Sequence, residues 1–189
     1  FRYRMLSDPM KAFVWLCVIG VVNVGFEALL SSMRITNYLM SDFYLLAAVP
    51  FFGLIYAATV PPGRVRSTLR AGSAMFVVLW LVDELIAGNM HVMNSLLSMA
   101  AAIFLVIMSV ITFNAMLRSS TSSLSSKPMF WVLTGTIVYY AGTFAVMGMG
   151  SNLLAVDLHV FVVTWYVNWS LVIVSMLMYA KGFLCTSQA

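Results

Sequence analysis

Charge is what this sequence has least of. Ten Lys or Arg and six Asp or Glu make up 8% of 189 residues, against about 25% in soluble domains, which excludes an ordinary water-facing globular surface. Histidine and cysteine occur twice each. Two histidines fall short of the three ligands and activated water of a zinc hydrolase. Cys17 lies inside an apolar run and Cys185 near the C-terminal end, so they give no disulfide framework and are expected to be unpaired. No nucleophile elbow, phosphate loop or histidine-rich motif occurs. No lysine sits deep in an apolar run, as a retinal Schiff base would require. These absences point away from an enzyme and from a resident cofactor.

What is there is hydrophobic length. Hydrophobic residues make up 62% of the chain, with a mean hydropathy of +0.99. A bilayer core of ~30 Å takes roughly 20 helical residues to cross. Continuous apolar runs are read at about 12–30, 43–60, 71–86, 93–117, 129–149 and 158–180. Transmembrane barrels need alternating segments of about ten residues, so helices are the spanning structure that satisfies the backbone here. The expected fold is all-α: a polytopic transmembrane helical bundle forming a single transmembrane domain, with six spans and no separate soluble domain.

The few charges set an orientation. Arg2, Arg4, Lys11, Arg64, Arg66, Arg70, Arg118, Lys127 and Lys181 fall on one side of the predicted spans and only Arg34 on the other. The positive-inside rule puts both ends of the chain in the cytoplasm. The net charge of +4 therefore reflects topology; basic residues confined to helix ends do not form a nucleic-acid surface. Glu27, Asp42, Asp83, Glu84 and Asp157 gather at the outer ends, either as a cation-attracting rim or as solvated caps. Pro50 is expected to bend the second span, Pro61-Pro62-Gly63 to end it, and Pro128 to open the fifth. Ser119 to Ser126 reads as a flexible linker. Small residues four apart, Ser98 with Ala102 and Ala141 with Ala145, mark faces expected to pack inward.

Polar residues inside the runs are the candidate sites. Asn23 and Glu27, four apart, share a helix face. A carboxyl there either binds a cation or relays a proton, or reaches the outer interface and pairs with Arg34. Asn168, with Asn114, Tyr139, Tyr140 and Thr143, forms either a polar pocket or hydrogen-bonding glue between helices. Asn168-Trp169-Ser170 matches a glycosylation sequon but lies within a span. Met90, His91 and Met93, with His159 on the same side, are the residue types that suit a soft metal or a haem, in a short and nonspecific cluster.

The fifth run carries Lys127-Pro128-Met129-Phe130-Trp131, Gly135, Tyr139, Gly142 and Phe144. This KPxFWxxxGxxxYxxGxF pattern resembles that of small uncharacterised multi-span membrane proteins of Bacteroidota-type bacteria. The resemblance is better over the last three runs than over the first three. It implies a bacterial inner membrane location and a seventh helix ahead of Phe1, with the true N-terminus outside. It implies no activity. Some of the proteins it resembles carry a lysine beside the asparagine near the Asn168 position, which this chain lacks, so the resemblance implies no shared polar site there.

The expected function is a non-enzymatic integral membrane subunit, sensory or accessory, acting through contacts with lipid, other membrane proteins or itself. The alternatives are a small cation- or proton-coupled transporter or channel using Glu27, and a metal- or haem-binding membrane protein using His91 and His159.

Overall fold

A computed structural model describes residues 6–34, 38–87, 95–119, 123–156 and 158–185. Among these the all-α expectation holds. The helices are α1 (Asp8–Ser32), α2 (Tyr38–Thr59), α3 (Arg64–Ala87), α4 (Ser95–Ser119), α5 (Pro128–Val156) and α6 (Leu158–Cys185), with a 3-10 turn at Leu124–Ser126 and no strand. Among the described residues, four stretches are long and apolar enough to cross a membrane: Asp8–Ser32, Arg64–Asp83, Leu96–Ser119 and Val162–Cys185. The chain is a helical membrane protein.

The helices extend past the apolar runs because their polar ends remain helical. Pro9 in the first turn of α1 and Pro128 opening α5 occupy positions where a missing N–H costs nothing. α2 continues through Pro50 and stops at Thr59, before Pro61-Pro62. Gly63, at φ +155°, makes the tight entry into α3. At the end of α1, the Met33 and Arg34 amides donate to carbonyls of the last turn, with Arg34 at φ +57°.

The helices form two compact units. The front unit, Ser7–Leu97, contains α1 to α3. α2 packs against both α1 and α3, with Phe13 6.2 Å from Phe52 and Phe43 5.8 Å from Trp80, ring to ring. Met10, Phe13 and Leu16 are the buried residues of α1, so its first half carries the packing.

The rear unit, from Ser98 to the C-terminus, contains most of α4 with α5 and α6. Along α4 the buried positions Ala101, Leu105, Met108, Thr112 and Met116 follow a helical stripe, and Phe113 meets Phe130 of α5 at 5.7 Å. α5 and α6 pack along most of their length. Ala102 is buried as expected, whereas Ala141 is exposed. The close-approach positions of α5 are its glycines.

Candidate functional site

Polar side chains gather in two places. The first is the C-terminal half of α1, where Asn23 Nδ2 donates to Glu27 Oε1 at 2.8 Å. The four-residue spacing stacks the two groups, and the neutral amide gives the carboxyl a donor without supplying a counter-charge. One turn toward the helix N-terminus on the same face, a Cβ on Gly20 would lie 3.3 Å from the Tyr44 hydroxyl. Tyr44 of α2 therefore rests against α1 just below the pair. Sequence reasoning missed it, since a tyrosine near a span's end reads as an interfacial anchor. Asn23, Glu27 and Tyr44 are all half-buried. Across the same unit, Trp80 is 6% exposed, and its indole Nε1 is buried without an acceptor among the described residues.

The second place is the seam between α5 and α6. Thr143 Oγ1 donates to Asn168 Oδ1 at 3.3 Å, and the Thr136 hydroxyl lies 3.3 Å from the Tyr179 hydroxyl. The two threonines are seven apart, so they recur on one face of α5 after two turns. Gly135 and Gly142 recur in step beside them. A Cβ on Gly135 would meet Tyr179 Cε1 at 2.7 Å and the Ser175 carbonyl oxygen at 3.2 Å, and a Cβ on Gly142 would run into Leu171 Cδ1. From α6, a Cβ on Gly182 would lie 3.0 Å from the Pro128 carbonyl oxygen. The paired positions run in opposite directions, so this is an antiparallel, glycine-notched seam with two hydrogen-bonded rungs.

The seam is latched where α5 begins and α6 ends. Trp131 Nε1 donates to the Ser125 carbonyl at 2.8 Å, Lys181 Nζ sits 3.9 Å above the Trp131 ring, and Cys185 Sγ reaches the Ser125 carbonyl at 3.8 Å. These contacts carry α6 past Lys181, beyond the apolar run. Of the serine-rich segment read as a linker, residues 120–122 lie outside the described residues. Over Ser123 to Ser126 it is a hydrogen-bonded turn, with Ser126 Oγ donating to the Ser123 carbonyl at 2.7 Å and Lys127 N to the Leu124 carbonyl at 2.9 Å.

Of the sequence candidates, Asn23 and Glu27 are brought together, as are Asn168 and Thr143. Tyr139 is half-buried, with its ring edge-on to Tyr140 at 4.7 Å, and Asn114 is exposed. His159 is exposed. Met90, His91 and Met93 lie outside the described residues, so the proposed metal cluster has no described geometry. Cys17 and Cys185 are both free thiols.

Buried hydroxyls mostly turn back on their own helices. Ser73 donates to the Leu69 carbonyl, Thr112 to Met108, Thr136 to Val132 and Ser175 to Leu171, at 2.8–2.9 Å. Their hydrogen-bonding capacity serves the backbone. Comparison of the chain with known protein families, with curated proteins and with solved structures finds no match.

Proposed function

We propose that this chain is a non-enzymatic, multi-pass subunit of the bacterial inner membrane that acts by holding another membrane protein through helix contacts. The six apolar runs support six spans, and the distribution of Lys and Arg supports an orientation with both ends of the chain in the cytoplasm. The observation that carries the reading is the outer half of α1. No residue of α1 beyond Leu16 is buried, and Val21, Val24 and Phe26 are 73%, 62% and 53% exposed. Lipid alone would suit those apolar side chains. The half-buried Asn23–Glu27 pair lies on the side of α1 that packs toward Tyr44 of α2, and what distinguishes the opposite, exposed side is an open notch at Gly25.

Gly25 adds a shape to this surface. Its Cβ position has nothing within 4 Å, and Val22, Phe26 and Leu29 line a shallow groove around it. A small residue between larger ones is how membrane helices approach closely. The transporter reading is second. The half-buried Glu27 supports it, but the hydroxyls that would line a water path donate instead to their own helices.

The discriminating variant is Gly25→Leu. Its side chain would enter open space, so the protein's own folding should be unaffected, while a partner seated in the groove would be displaced. Co-purification of a specific partner from gently solubilised membranes, lost in Gly25→Leu with unchanged thermal stability, is the expected result. Retention of the same partner by the variant would remove the outer half of α1 from the interface.

A further inference from the structure

The first two turns of α3 carry Arg64, Arg66 and Arg70, and their placement runs against local electrostatics. The N-terminal end of a helix is the positive end of its dipole, where cations are unfavourable. Arg66 and Arg70 also stand four apart, where like charges repel. α1 obeys the rule that α3 breaks: its first turn holds Asp8, paired to Lys11 at 2.9 Å. That pairing occupies the one acidic side chain on α1's first turn. Arg66 is half-buried, and its Nε is fully buried with no hydrogen-bond acceptor among the described residues. Arg64 and Arg70 are exposed. Side chains on a helix lean toward its N-terminus, so Arg66 and Arg70 reach back toward the level of Arg64.

We propose that this end of α3 binds the phosphate of an anionic phospholipid headgroup, with Arg66 as the central ligand and Arg70, four residues on and on the same helix face, beside it. A phosphate there accepts from the planar guanidinium forks. It also meets the first-turn amides that have no intrahelical partner, and it reverses the sign of both local repulsions. The source is a lipid, because Arg64–Asp83 is long and apolar enough to cross the bilayer, which puts the first turn of α3 at headgroup depth. The proposal does not depend on the partner reading: a bound lipid and a bound protein are separate masses in one spectrum.

The test is native mass spectrometry of the purified full chain titrated with phosphatidylglycerol or phosphatidylcholine of matched acyl chains. Phosphatidylglycerol adducts are expected to survive activation at energies that strip phosphatidylcholine. Arg66→Gln should weaken their retention roughly fivefold, while Arg118→Gln, a cation of the other unit, should not. The Arg70→Gln chain alters only an exposed side chain and should also lose adducts, which keeps the test decisive if Arg66→Gln does not fold. Equal retention of the two lipids, an equal effect of Arg118→Gln, or displacement of phosphatidylglycerol by millimolar inorganic phosphate would each overturn the assignment.

Discussion

Gly135→Ala adds one methyl group where α5 and α6 are closest, and its effect follows from three terms. The new Cβ would lie 2.7 Å and 3.0 Å from two ring carbons of Tyr179 and 3.2 Å from the Ser175 carbonyl oxygen. Tyr179 is 8% exposed, so its ring has little room to move, and a carbonyl moves only with its helix. Overpacking of this kind costs about 1–3 kcal/mol. Shifting Tyr179 would also loosen its contact with Thr136, where membrane hydrogen bonds contribute about 0.6 kcal/mol on average. Against this, alanine is favoured over glycine in a helix by about 0.8–1.0 kcal/mol. The expected net effect is destabilisation by about 1–2 kcal/mol, a factor of 5–30 in the folded-to-unfolded ratio. Unfolding in mixed detergent micelles, followed by tryptophan fluorescence, measures it. Gly142→Ala is the internal comparison, because the obstructing atom there is the end of the flexible Leu171 side chain; it should cost clearly less. A Gly135→Ala protein as stable as the parent or more so would refute the close approach of α5 and α6 at this level.

Three further outcomes follow from the same geometry. Thr143→Val and Asn168→Leu, made singly and together, should show a coupling energy of about 0.6 kcal/mol in the micelle assay; additive effects would remove the rung. Trp131→Phe deletes the donor to Ser125 and weakens the contact with Lys181, so amide exchange over 123–127 should accelerate, by a factor of about five for a loss of ~1 kcal/mol; unchanged exchange would mean that the latch does not hold the turn. Glu27→Gln keeps the shape of the Asn23 pair and removes the ionisable group. On the subunit reading it leaves liposomes as ion-tight as the parent protein does, whereas a proton or cation flux present in the parent and lost in Glu27→Gln would establish the transporter reading instead.

The helical class and the apolar cores of the helices could be read from composition and run length, since both follow from the energetics of lipid as a solvent. The ends were less legible. Hydropathy ends the sixth run at 180, but α6 continues to Cys185 because Lys181 finds the Trp131 ring and Gly182 fits against Pro128. Those are contacts between residues about fifty apart, which no local window reports. The glycine seam was present in the pattern Gly135, Tyr139, Gly142, yet the four-residue spacing drew attention to Ala141 and Ala145. The seven-residue recurrence of Gly135 with Thr136 and of Gly142 with Thr143 is the signal that would have found it. Asn23 with Glu27 was legible as an i, i+4 pair. Tyr44 was not, because its role depends on the register of α1 against α2.

On the subunit reading, another protein covers the exposed side of the C-terminal half of α1. Native mass spectrometry of the chain released gently from its own membrane tests this most directly. A species heavier than the chain and its bound lipid by the mass of a second, distinct polypeptide is expected, and it should be lost in Gly25→Leu. A bare monomer or a homo-oligomer, with no second polypeptide under the gentlest release, would contradict the subunit reading.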